Sequence, residues 1–261
     1  MNYFIQLVAD YGVGDPAFGE VAQRLKHLLP QAQVFPTSVP AFSTLATGFW
    51  INQYALMAGP ENFIIYSNTA PRKDTKQERK ANEGEKFVFA QLNNGNQVAA
   101  VNSGYCLSFI KDQLKTFKTI NISNKGSQFR SRDFYPQAVV GILKKKKGVL
   151  GQDLDQSLIP DLPSNRLAFV DGYGNLKTTI YQSEIKHKPG SKIKIKLNGV
   201  VRTAYFAHGN FEVKEGELAF APGSSGKKED RFLEIFLRGG SAHALFDHPR
   251  VESVISFDKI N

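Results

Sequence analysis

The stretch Tyr3-Phe4-Ile5-Gln6-Leu7-Val8-Ala9-Asp10-Tyr11-Gly12-Val13-Gly14-Asp15-Pro16 decides the reading of the fold. Residues 3–9 form a mostly apolar run of strand length that stops at Asp10. Gly12 and Gly14 then loosen the backbone. Asp15 offers a side-chain acceptor to the open N–H groups of a helix start, and Pro16 fits the first helical turn, where no N–H donor is required. Val21, Leu25, Leu28 and Leu29 follow at i, i+4, i+7 and i+8, which makes one face of a helix that Pro30 ends. A short strand at 33–35 comes next. A second helix, capped by Ser43 or Thr44, carries Leu45, Phe49 and Leu56, and a third strand covers 63–66. This βαβαβ order predicts a mainly parallel sheet with flanking helices.

Outward from there the pattern breaks once and then changes. Residues 71–86 are polar, mixed in charge and have almost nothing to bury, so they read as a surface excursion between strands. The sheet resumes at 87–90, Asn93-Asn94-Gly95-Asn96 signals a turn, and 134–143 reads as the last helix of this half. Beyond a lysine run, glycines and prolines, the chain turns to short strand-like segments at 167–170, 176–180, 193–197, 200–206, 232–237 and 251–257, with one short helix near 241–246. Asn198-Gly199 is a strong hairpin signal between two of them. We expect an α/β domain over 1–150, a linker at 151–163, and a small antiparallel β-barrel domain over 164–261.

Composition narrows the function classes. The chain has 261 residues, 41% hydrophobic and 22% charged, enough for a real core and no case for wholesale disorder. No apolar run approaches the ~18 residues of a membrane span. The lone Cys106 fits a packed small residue in a reducing, cytoplasmic setting and rules out an intramolecular disulfide. The net charge of +9 concentrates at Lys144–Lys147 and at Lys186, Lys188, Lys192, Lys194 and Lys196. The first run has no interleaved aromatics and the second alternates with Ile193, Ile195 and Leu197. Both read as solvated faces rather than a nucleic-acid surface.

Few residues carry chemistry on their own spacing. Asp10, at the carboxyl end of the first strand of an open α/β sheet, stands where such folds bind ligands, and a carboxylate there can accept both hydroxyls of a ribose. Helix capping is the other reading of Asp10 or Asp15. The loop is not GxGxxG, so a dinucleotide is not indicated. Asp171-Gly172-Tyr173-Gly174-Asn175 is either a ligand-facing turn or a plain β-turn. Gly223-Ser224-Ser225-Gly226 is either a backbone N–H cradle for a carboxylate or a loop. The five histidines are scattered, and no metal-ligand spacing occurs, so no metal and no separate cofactor are expected.

Taken in order, these segments resemble the S-adenosylmethionine hydroxide adenosyltransferases and their relatives, the fluorinases and chlorinases. Ala9-Asp10-Tyr11-Gly12 with Asp15-Pro16 resembles TDFG…DP, and Val39-Pro40-Ala41-Phe42 resembles a loop bearing an aromatic near the nucleoside. Gln91 to Gly95 is similar to PDNG, and Phe129-Arg130-Ser131-Arg132-Asp133-Phe134 to FHGRD or FYSRE. Asp171 to Asn175 with Thr178 and Thr179 resembles DRFGN…TN, and 224–226 with 233–242 resembles NSSG…LEIA…GNAA.

The resemblance implies a nucleoside-binding first domain, a second β-barrel domain, and a homotrimer with ligand between one subunit's first domain and its neighbour's second. S-adenosylmethionine, as substrate or ligand, or adenosine, would be the small-molecule partner. The implied activity is hydrolysis at the ribose C5′ carbon to adenosine and methionine; the alternative is a non-catalytic binding protein. By position, Asp10 would hold the ribose and Phe42 would flank the nucleoside. Asp171 would take the substrate ammonium, and Tyr173 and Asn175 would line the adenine and amino-acid side. Ser224 and Ser225 would receive the carboxylate, and the backbone at Gly239 would face adenine. The family's water-activating Asp–Arg–His set is altered. Asn68 stands in place of the acid, Arg130 in place of the histidine, and Arg72 or Arg79 supplies the arginine. Ser131 matches the serine that halide-using members place near the nucleophile. Asn68, Arg130 and Ser131 are therefore the candidate catalytic set.

Overall fold

The computed structural model describes residues 2–69, 85–123, 127–209 and 211–259. The chain divides into two compact units, Met1–Asp161 and Leu162–Asn261. In the first unit the strands and helices run β1 (Tyr3–Ala9), α1 (Pro16–Leu28), β2 (Ala32–Ser38), α2 (Thr44–Leu56), β3 (Phe63–Asn68), β4 (Phe87–Leu92), β5 (Gln97–Val101), β6 (Leu114–Ile120), α3 (Arg130–Asp133), α4 (Tyr135–Leu143) and β7 (Leu150–Asp153).

The opening stretch folds as its residues dictate. The Asp15 carboxylate accepts the Ala17 N–H at 2.8 Å and Pro16 starts α1. Val21 and Leu25 are buried on its inner face with Ile5, Leu7 and Val139. Ser43, not Thr44, caps α2, accepting from the Ala46 N–H at 3.2 Å. Helix α2 is buried on nearly every side, which is why no single apolar face stands out in its sequence. Gly48 lies against the Tyr105 carbonyl and the Phe109 ring, so close that a β-carbon would collide.

The first sheet has the order β2-β1-β3-β5-β4-β6-β7. Strands β2, β1, β3 and β5 are parallel; β4, β6 and β7 join antiparallel, so the sheet is mixed rather than mainly parallel. The reason lies in the 93–96 turn. It is too short for a crossover and forces β4 and β5 into a hairpin, after which the sheet grows by antiparallel neighbours. Residues 150–153, inside or beside the expected linker, form β7 at the edge of this sheet.

The second unit contains β8 (Leu167–Val170), β9 (Leu176–Tyr181), β10 (Lys192–Leu197), β11 (Val200–Phe206), β12 (Leu218–Gly226), β13 (Arg231–Leu237), α5 (Ala242–Leu245) and β14 (Ile255–Lys259). They form one seven-stranded sheet in the order β14-β10-β11-β12-β13-β9-β8. All pairs are antiparallel except β11 with β12. The sheet curls until its edges touch. Arg166 bridges Val254, the Leu167 N–H donates to the Ser253 carbonyl at 3.0 Å, and the Ile255 N–H donates to the Asn165 carbonyl at 2.8 Å. In β10 the lysines face out while Ile193, Ile195 and Leu197 are buried. Asn198 and Gly199 have φ of 53° and 77°, the left-handed pair that a tight two-residue hairpin demands. Among the described residues no helix is long and apolar enough to cross a membrane.

Candidate functional site

In the first unit the parallel register aligns Ala9 with Ser38 on one side and with Asn68 on the other. The carboxyl ends of three strands therefore sit together, and Asp10 follows directly from the middle one. One Asp10 carboxylate oxygen accepts the Phe42 N–H at 3.0 Å. Phe42 has φ of 63°, a left-handed backbone rarely tolerated by a bulky side chain, and its ring is 47% exposed. The cause is local: Ser43 must cap α2, and the Ser43 N–H closes a turn on the Pro40 carbonyl at 3.1 Å. Phe42 is thereby turned back toward Asp10.

The second feature of this edge is a chain of hydrogen bonds. Asn68 donates through Nδ2 to the Tyr11 hydroxyl at 3.2 Å, and Tyr11 donates to Ser131 Oγ at 2.6 Å. Tyr66 donates to the Ser131 carbonyl at 2.6 Å, and Ser38 donates to the Tyr11 carbonyl at 2.6 Å. Ser131 is thus gripped at both its hydroxyl and its carbonyl. The Tyr11 ring rests edge-on against Phe18 and Phe129. Burial raises the pKa values of both Tyr11 and Tyr66 well above the ordinary tyrosine range, outweighing for Tyr11 the opposing bonds from Ser131 and Asn68. Both phenols are neutral at physiological pH.

Arg130 goes elsewhere. Its guanidinium lies 5.3 Å from the centre of the Tyr135 ring, which stacks on Phe87. Its buried Nε has no partner among the described residues. The structure brings Asn68 and Ser131 together through Tyr11, with Arg130 turned to a different aromatic. Arg72 and Arg79 lie outside the described residues.

The second unit gathers the other candidates. Asp171 accepts from the Tyr173 and Asn175 N–H groups at 3.0 Å each and from Asn175 Nδ2 at 2.9 Å. Lys177 Nζ lies 3.4 Å away and also pairs with Glu234, a residue only 3% exposed on the neighbouring strand. Burial pushes the Asp171 carboxyl up. The Asn175 donors, Lys177 and the Tyr173 N–H pull it down further, and the net value is below the usual aspartate range. Asn175 is buried and its Oδ1 has no partner among the described residues. Gly174, with φ of 82°, packs against Ser241, and its carbonyl accepts the His243 N–H at 2.9 Å.

This brings the 171–175 turn beside α5, which Ser241 caps. Gly239 turns the chain just before it, with φ of 81°, against Glu215. Tyr173 is 83% exposed. Residues 223–226 are not a loop but the end of β12, with a register shift between Pro222 and Gly226. Ser224 is exposed and Ser225 buried. Gly223 faces the Glu234 carboxylate, where a β-carbon would come within 2.7 Å.

No group of three or more histidine, cysteine or acidic side chains is placed to hold a metal among the described residues. Two other concave regions, one lined by Glu20, Arg24, His27 and Asp133 and one by Tyr205, Phe211 and Arg238, contain none of these candidates.

Residues 166–254 match the family model described as the SAM hydroxide adenosyltransferase C-terminal domain. The match is confined to the second unit, and its likeness is that of a divergent member of this family. No curated protein matches the chain. Among solved structures it is similar to an uncharacterized conserved protein from Thermotoga maritima, at 18% identity and TM-score 0.76 over 97% of this chain and all of that one. A conserved hypothetical protein from Thermus thermophilus is similar at 17% identity and TM-score 0.69, covering 99% of this chain and all of that one. These likenesses establish the fold.

The adenosyltransferase C-terminal domain includes Asp171, Tyr173, Asn175, Ser224, Ser225 and Gly239, so every candidate in the second unit falls inside the matched region. Three residues of the geometry were not singled out from sequence. Tyr11 was visible as part of the Asp10 loop, but its partner Ser131 is 120 residues away. Lys177 carries no mark in its strand, and only the β9–β13 pairing reveals that it meets Glu234. A signal for Glu234 did exist: a lone acid within the apolar run 232–237 requires a buried partner.

Proposed function

We propose that this chain binds an adenosyl nucleoside, S-adenosylmethionine or adenosine, and holds it without hydrolysing it at the rate of a site equipped with a base. Asp10 takes the ribose hydroxyls, Phe42 flanks the nucleoside, and the 171–175 turn and 239–243 segment of another copy in a homotrimer meet its far side. The observation that carries this reading is the Tyr11 hydroxyl, bonded at once to Asn68 and Ser131.

Hydrolysis at C5′ requires water oxygen to bond to that carbon while the C5′–S bond breaks. Its electron pair goes to sulfur to give neutral methionine, and the attacking water must lose a proton. An amide, a neutral phenol and a serine hydroxyl give up or share hydrogen bonds but do not remove that proton. The protons of the chain all point the same way, from Asn68 to Tyr11 to Ser131. With its oxygen accepting from Tyr11, Ser131 keeps its own proton to donate.

The second reading is turnover to adenosine and methionine. The match to the hydroxide adenosyltransferase domain favours it, as does the rigid double grip on Ser131. Orientation and exclusion of water would then supply the rate. One experiment separates the two: calorimetric titration with S-adenosylmethionine and with adenosine, alongside chromatographic detection of adenosine from S-adenosylmethionine between pH 6 and 9. Binding without release supports the first reading. Release above buffer that Ser131→Ala abolishes supports the second, and neither heat nor release refutes both.

A further inference from the structure

We infer that Lys177 sets the ligand class at the 171–175 turn, admitting a nucleoside that is uncharged at that end and disfavouring one that ends in an ammonium. This rests on the nucleoside reading above and narrows it from S-adenosylmethionine or adenosine to adenosine-like compounds. A carboxylate offers about four acceptor positions, and those of Asp171 are met from within the chain by two backbone N–H groups, the Asn175 amide and the Lys177 ammonium. Lys177 is itself held from the opposite side by Glu234. Arg231 donates to the carbonyl of Gly223, the residue whose missing β-carbon leaves room for the Glu234 carboxylate. Lys177 thus stands between two carboxylates, and an incoming ammonium would meet it beside Asp171, the carboxylate it needs as a counter-ion.

What the turn does offer is neutral. Asn175 is 8% exposed, and the bond from its Nδ2 to Asp171 fixes the amide so that Oδ1 points the other way, where it has no partner among the described residues. A buried carbonyl oxygen without a donor is costly. Its complement is an N–H or O–H of a neutral group, such as the exocyclic amine of a purine or a sugar hydroxyl.

The test is calorimetry on the full chain with adenosine and with S-adenosylmethionine as separate probes. The natural protein is expected to bind adenosine at least about tenfold more tightly, the scale of a close like-charge penalty. Lys177→Met alone would take a cation from beside the buried Glu234 carboxylate. The informative variant is therefore the double substitution Lys177→Met with Glu234→Gln, checked for folding by its thermal transition. In it the preference should shrink about tenfold through gained S-adenosylmethionine affinity, with adenosine affinity held. Equal or tighter binding of S-adenosylmethionine by the natural protein overturns the inference and needs no variant. An unchanged preference in the folded double variant also overturns it. Binding of neither probe overturns the nucleoside reading and this inference together.

Discussion

Tyr11 is the residue on which the first unit's polar edge is hung. Removing its hydroxyl by Tyr11→Phe deletes two hydrogen bonds in a buried setting and leaves Asn68 and Ser131 each short of a partner. The expected cost is ~1–3 kcal/mol, read as a lower midpoint in urea unfolding; an unchanged midpoint would mean the chain Asn68–Tyr11–Ser131 does not form. Buried acids nearby make a second prediction. The Cys106 thiol, 1% exposed, is pushed up from 9.0 to about 12 by burial, against the opposing bond from Ser103. Tyr11 and Tyr66 are raised by burial as well. A raised pKa in the folded state means the unfolded chain loses its proton first. The stabilisation is therefore complete below pH 9 and is lost as pH climbs through the folded-state values. Urea midpoints at pH 8, 10 and 11 should fall in that order, and a flat series would contradict the burial of these groups. The candidates Asn68 and Ser131 came from the resemblance to the adenosyltransferase motifs. Tyr11's role was not legible from sequence, because its bond spans 120 residues and an aromatic in a glycine loop carries no mark of it.

At the scale of elements, the opening β1–α1–β2 unit could be read because each boundary has a local cause: Asp15, Pro16 and Pro30. The strands that escaped reading have non-local causes. Strands β5, β6 and β7 hold their place through hairpin and edge pairing, and Gly223-Ser224-Ser225-Gly226 is strand only because β13 pairs alongside. The loop before α2 offers the sharpest test of element against function. Phe42 sits at φ of 63°, a conformation costing an L-residue ~1–2 kcal/mol. Phe42→Gly relieves that strain while adding freedom to the unfolded chain, so stability should change by less than ~1 kcal/mol. Stacking of a base on an aromatic ring contributes ~1–3 kcal/mol, so nucleoside affinity should fall roughly tenfold or more in the same variant. Loss of stability with affinity intact would reverse the assignment, making the ring a packing group.

For the whole molecule, each of the two units has its own buried cluster. Lysines on the outer face of β10 account for part of the +9 charge. Assembly belongs to this scale. If ligand is shared between copies, sedimentation velocity at micromolar protein should give three times the chain mass, and a monomer that still binds nucleoside would exclude the shared arrangement. The most direct measurement is a crystal structure of the chain grown with adenosine. The account predicts both ribose hydroxyls within hydrogen-bond distance of the Asp10 carboxylate and the Phe42 ring against the nucleoside. Adenosine seated away from Asp10, with its ribose untouched by that carboxylate, would contradict it.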